Sequence, residues 1–137
     1  MKKRVISVAL LIAMCLIGFT SYADEEPTLI KGYATAYIGE SEYTCTGDKV
    51  REGICGGCKD YIGKTIVLYQ RLPNDEVGAI LGIWECLDTG TGTEGFQQGK
   101  VIDVYQPSLE ECQDFMNLIY EDGCKGKVWI QVIDAKG

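Results

Sequence analysis

Two aspartates sit where the sequence otherwise builds a core. Asp88 ends the apolar run AILGIWECLD and opens DTG, and Asp103 stands in the middle of KVIDVY. Side chains in a strand alternate between faces, so Trp84, Cys86 and Asp88 share one side of their segment, and Ile83 and Leu87 the other. In KVIDVY, Val101, Asp103 and Tyr105 face opposite to Ile102 and Val104. Aspartate is a poor strand former, and its charge is costly to desolvate. Such a residue either lies on a wet outer face or has a task. The chain contains no histidine, so Ser-His and Cys-His nucleophiles are excluded. Acid–base chemistry near neutral pH then falls to carboxylates, lysine or tyrosine. A carboxyl raised in pKa by apolar surroundings can protonate a glycosidic oxygen and afterwards act as base, and carboxylate pairs are the usual equipment for cleaving sugars.

The second group with chemical potential is the cysteines. Lys2, Lys3 and Arg4 precede a 15-residue apolar run followed by TSYADEEP, the layout of a secretory signal peptide. Residues 1–23 are therefore expected to be a leader cut after Ala23, and the chain to be exported to the cell wall or the medium. The run is short for a membrane span, which needs roughly 20 residues. The remaining 114 residues suffice for one domain. They keep Cys45, Cys55, Cys58, Cys86, Cys112 and Cys124. An even count in an exported chain of this size reads first as three disulfides. Cys55 and Cys58 also have CxxC spacing, which leaves redox chemistry or zinc as alternatives, but there is no second CxxC to complete a metal site. No metal and no cofactor is expected.

Losing the leader removes three basic groups and no acid, leaving ten basic residues against twenty acids, a net charge of −10. That balance opposes nucleic acid and anionic membranes but not a neutral polysaccharide.

The elements that must position these residues follow from the patterning. Residues 24–30 read as a flexible N-terminal segment. KGYATAYIG (31–39), KTIVLYQRL (64–72), AILGIWECLD (79–88), KVIDVYQ (100–106) and KVWIQVID (127–134) read as strands. Residues 40–63, rich in glycine and charge, read as a long loop, and PNDEVG as a turn. SLEE is a capping box in which Ser108 accepts from the Glu111 N–H while the Glu111 side chain reaches back. It starts a helix whose apolar stripe is Leu109, Cys112, Phe115, Met116 and Ile119, with Gly123 as the stop. Several strands and one helix before the last strand suit a small closed β-barrel.

The ordered segments ATAY (34–37), VREG (50–53), IGKTIVLY (62–69), DTG (88–90), GKVIDVY (99–105) and VWIQVI (128–133) resemble the bacterial 3D domain. That domain, named for three aspartates, occurs in stationary-phase secreted proteins, resuscitation-promoting-factor-like proteins and membrane-bound lytic transglycosylase A. The resemblance covers nearly all of residues 31–137. It implies a six-stranded double-psi β-barrel of the kind found in expansins and rare lipoprotein A, and the glycan strand of peptidoglycan as partner, bound by a monomer without nucleic acid or an integral membrane anchor. It implies lytic transglycosylase chemistry, in which an aspartate protonates the oxygen between MurNAc and GlcNAc and then takes the proton of the MurNAc 6-hydroxyl as a 1,6-anhydro ring closes. By motif position Asp103 is that acid and base, and Asp88 its electrostatic neighbour. Tyr37, Trp84, Thr89, Gly90 and Tyr105 are expected to contact substrate, with Tyr43 a further stacking candidate. Lys64 and Lys100 could meet peptide-stem carboxylates, and Trp129 is expected to pack.

The chain departs from the pattern in two places. The segment that carries the family's first aspartate reads ICGGCKDYIG, offering Cys58 or, with a gap, Asp60. The stretch between Asp88 and Asp103 is also about four residues longer than the family pattern. Both departures favour the alternative of a non-catalytic, expansin-like wall-binding module. If Cys58 replaces a residue that approaches the DTG strand, the implied pairs are Cys58–Cys86, Cys112–Cys124 and Cys45–Cys55.

Overall fold

The computed structural model describes residues 27–39, 42–89 and 93–134. The expected leader (1–23) and Gly90 lie outside the described residues, and of 24–30 only the last four are within them. Six strands are present: β1 (Ile30–Tyr37), β2 (Ile54–Gly57), β3 (Thr65–Arg71), β4 (Val77–Thr89), β5 (Val101–Tyr105) and β6 (Lys127–Ile133). A one-turn helix α1 (Glu94–Gln97) precedes β5, and α2 (Leu109–Tyr120) precedes β6. The strands close into a mixed barrel in the order β1-β5-β2-β4-β3-β6. β1 and β5 are parallel, as are β2 and β4, and the other four pairings are antiparallel. No helix among the described residues is long and apolar enough to cross a membrane.

The β-branched runs TIVLYQR and KVWIQVI pair along six residues each. They send Ile66, Leu68, Val128 and Ile130 fully inward. Ile102 and Val104 of β5 join them, and α2 closes the core with Phe115 and Ile119. Each fully buried aliphatic side chain contributes about 1.5–3 kcal/mol. Arg71 is buried among the strands. Its Nε donates to Val128 O at 3.3 Å, its Nη2 to Gly32 O at 3.1 Å, and its Nη1 meets Asp75 at 3.1 Å. One guanidinium thus ties β3 to β6 and β1.

The helix forms where its cap predicts. Ser108 Oγ accepts from Glu111 N at 3.2 Å, and the Glu111 carboxylate reaches back to that hydroxyl at 2.9 Å rather than to the Ser108 backbone. Cys112, Phe115 and Ile119 are buried, but Leu109, the first residue of the helix, is 74 % exposed.

Three expectations need correction. The long loop 40–63 contains β2, whose four residues ICGG are all buried between β4 and β5. The segment 77–78, read as turn, already belongs to the 13-residue β4. The third correction concerns the disulfides. None of the three expected pairs is joined: the six cysteines among the described residues are present as free thiols. Cys112 lies in the first turns of α2 and Cys124 beyond its far end. Eight residues of helix alone separate them by about 12 Å, outside the disulfide range of about 4.4–6.8 Å between Cα atoms. Cys58 and Cys45 are likewise free thiols, and their expected partners Cys86 and Cys55 lie in register with each other on β4 and β2.

Candidate functional site: a carboxylate row on the barrel wall

Asp103 occupies the middle of β5, between Ile102 and Val104, which are wholly buried, while Asp103 itself is half-buried. Its register partners are Thr35 on β1 and Gly56 on β2, and Gly56 in turn partners Asp88 on β4. Residues in register across neighbouring strands project to the same side. Thr35, Asp103, Gly56 and Asp88 therefore form one row across four adjacent strands, with a glycine between the two aspartates. A Cβ on Gly56 would meet nothing closer than Asp88 O at 3.6 Å. A Cβ there would make ordinary contact with the backbone of Asp88 and Thr89.

A β-bulge creates this row. The β2–β4 register shifts after Cys55, so that Cys55 pairs with Cys86 but Gly56 pairs with Asp88, leaving Leu87 as the extra residue. Strict alternation puts Cys86 and Asp88 on one face. The bulge instead sends Cys86 into the core, fully buried beside Cys55 and Val104, and lines Asp88 up with Asp103. Bulges serve to re-aim side chains in this way. Leu87 is covered by the turn that follows residue 43, where Thr46 Oγ1 donates to Leu87 O at 3.2 Å.

The two carboxylates have different surroundings. Asp103 accepts a 2.8 Å hydrogen bond from Thr35 Oγ1. Burial raises its pKa above the ordinary aspartate range; the Thr35 hydroxyl works against this, and the charge of Asp88 adds to it. Asp88 Oδ1 accepts from the backbone N–H of Cys45 at 3.2 Å and of Thr89 at 3.0 Å. It therefore holds the 42–50 turn against the end of β4. Two strand spacings separate the aspartate Cα atoms, about 10 Å.

Tyr37 overlooks the row. Its hydroxyl is buried and has no hydrogen-bond partner, and its ring meets Tyr105 edge-on at 5.7 Å. Burial, then the charges of Asp88 and Asp103, keep the phenol protonated well above the usual tyrosine range. It is a donor fixed near both carboxylates with nothing to donate to. An unmet buried donor costs about 1–3 kcal/mol.

The other expected residues divide. Tyr105 joins the row through Tyr37. Thr89 is exposed and borders a cleft of about 340 Å³ whose walls also include Cys58, Asp60 and Phe96. Asp60 belongs to this cleft, in the 3₁₀ turn Lys59–Tyr61 and exposed, not to the row. Trp84 turns away from the site and packs edge-on against Phe115 at 5.8 Å. Tyr43 is 56 % exposed on the turn. Lys64 meets Asp134 at 3.4 Å, and Lys100 is exposed. Trp129 packs beneath Lys31 and Arg71 and donates to Asp75 O at 3.2 Å. The CxxC lacks the exposed, electropositive setting of a reactive thiolate. Cys55 is fully buried, and its hydrogen bond with Cys86 and then burial hold its pKa above the ordinary thiol value. Among the described residues no three His, Cys, Asp or Glu side chains converge on a metal position.

Thr35 and Gly56 are the members of the row that the sequence did not single out. Thr35 lies inside ATAY and Gly56 inside ICGGC, so the signal was motif membership, without any chemistry of their own to mark them. No protein-family model matches the chain, and no curated protein matches it in sequence.

Proposed function

We propose that this protein is a peptidoglycan-acting barrel of the 3D, double-psi type, in which Asp103 cleaves the MurNAc–GlcNAc bond by lytic transglycosylation. One observation carries the reading. Asp103 is a half-buried carboxyl with raised pKa, seated mid-strand beside Gly56, which carries no side chain, and held by Thr35. Such a group stays protonated to higher pH than an exposed aspartate and so can donate to a glycosidic oxygen. The ionised form it leaves can then take the proton of an attacking sugar hydroxyl. Asp88 supplies negative potential near the oxocarbenium-like charge, and the Tyr37 hydroxyl offers a hydrogen bond to the sugar. The six-stranded mixed barrel, the helix before its last strand and the net acidic charge are in keeping with an exported wall protein that acts on glycan.

A second reading has its own observation. Asp88 is occupied by two backbone N–H groups of its own chain, which is the work of a structural anchor. A non-catalytic, expansin-like module that holds polysaccharide along the same row would use it so. Digestion of purified peptidoglycan, with mass spectrometry for 1,6-anhydro-muropeptides, separates the two. The enzyme releases them, whereas the module binds the wall and releases none.

A further inference from the structure

The core side of the site holds a pair of thiols that neither the carboxylate chemistry nor the CxxC motif uses. Cys55 on β2 and Cys86 on β4 are direct register partners on parallel neighbouring strands. Both are 0 % exposed. Their side chains are hydrogen-bonded to each other, and Cys86 Sγ also lies 3.6 Å from Asp88 O. Neighbouring strands run about 4.8 Å apart, inside the Cα–Cα window of about 4.4–6.8 Å that a disulfide requires. Cys58, three residues on, leaves the strand before a 3₁₀ turn and lines the cleft with Asp60 instead. Cys112 and Cys124 sit at opposite ends of α2.

We propose that Cys55 and Cys86 are a disulfide-forming site, a covalent staple between β2 and β4 laid directly beneath the Asp103–Gly56–Asp88 row. The reaction is thiol–disulfide exchange with a disulfide donor such as glutathione disulfide. One cysteine thiolate attacks a donor sulfur and expels a donor thiolate. The second cysteine thiolate then attacks the mixed disulfide and expels the other. Two protein S–H bonds are lost, one S–S bond forms, and the donor disulfide is reduced to two thiols. Because neither sulfur is exposed in the closed barrel, exchange belongs to folding, before β2 is enclosed between β4 and β5. The staple fixes the bulge that aims Asp88, and it stands whether or not the protein cleaves glycan.

The test is refolding of the full chain from denaturant in a glutathione redox buffer, followed by alkylation, non-reducing trypsin digestion and mass spectrometry. The expected product joins peptide 52–59 to peptide 72–100, which contains Cys86 as its sole cysteine. Fragmentation between Gly56 and Gly57 then places the bond at Cys55. Cys58→Ala should retain the link, and Cys55→Ala should lose it. The native, reduced barrel given the same buffer without denaturant should leave both thiols free for alkylation after later unfolding. A bond located at Cys58, or no link between these peptides in the refolded chain, would overturn the proposal.

Discussion

Asp103→Asn should lower activity and raise stability together, because one cause, desolvation of a carboxyl, lies behind both. Asparagine keeps the shape and keeps an Oδ1 to accept from Thr35 Oγ1, which now lies 2.8 Å from the carboxylate. It removes the proton that catalysis would transfer. A positioned general acid–base contributes about 10²–10⁴-fold, or about 2.7–5.4 kcal/mol of barrier at 1.36 kcal/mol per tenfold. Release of anhydro-muropeptides should fall by that factor while wall binding is kept.

The stability effect has a defined sign. Because the folded-state pKa of Asp103 is raised, its contribution is fully favourable below the unfolded aspartate value of about 3.9. That contribution is lost as pH rises through the folded value, where an ionised carboxylate must be held half-buried. The variant does not titrate there. Its advantage over the parent should be smallest below about pH 3.9, grow as pH rises between the two values and then level off, each pKa unit being worth about 1.4 kcal/mol and about 6 °C in Tm for a domain of this size. Melting curves at stepped pH, run beside the digestion assay, read both effects. Unchanged muropeptide release would remove Asp103 from the chemistry, and a stability difference flat with pH would refute its desolvation.

Three further perturbations probe the row and its support. Gly56→Val adds a branched side chain between the aspartates on the buried strand β2, where a Cβ would already be in ordinary contact with the Asp88 and Thr89 backbone; with the fold checked by circular dichroism, sugar binding should fall at least tenfold in a wall pull-down, and unchanged binding would move the site elsewhere. Tyr37→Phe removes an unpartnered buried hydroxyl, so Tm should hold or rise while kcat/KM for glycan falls; a fall in Tm instead would show that the hydroxyl already has a partner in solution. Arg71→Leu leaves the carbonyls of Val128 and Gly32 without their guanidinium donor and should cost about 2–6 kcal/mol, at about 1–3 kcal/mol per unmet buried group, measurable by urea unfolding.

The strands that were legible in the sequence are those whose residues prefer a pleated, buried surface on their own account. TIVLYQR, VIDVY and KVWIQVI carry β-branched or aromatic residues at most positions, and the helix announced itself through SLEE. β2 had no such signal. ICGG contains two glycines and no alternation; only the two strands that flank it make it a strand, and that pairing is non-local. The short helix α1 was hidden for a similar reason, since one turn is too little to show a period. Within the site, Asp103 could be placed from Ile102 and Val104 alone. The place of Asp88 could not be read from its own strand, because the bulge at Leu87 breaks the alternation that a linear reading must assume.

That bulge also bears on which chemistry the row can support. A retaining glycosidase needs its two carboxyl groups about 5–5.5 Å apart, and an inverting one needs a second, free carboxylate to activate water. Asp88 does not meet the second need well, because one of its oxygens already accepts from the backbone of Cys45 and Thr89. What remains is one carboxyl with a raised pKa, an acidic neighbour that keeps its charge tied to the backbone, and an unused phenol. A lone acid–base can complete glycosidic cleavage when the substrate supplies the nucleophile, as a sugar's own hydroxyl does in closing an anhydro ring. The backbone anchoring of Asp88 that argues against a water-activating base is therefore compatible with transglycosylation, and the two wall-directed readings differ only in whether the Asp103 proton is delivered.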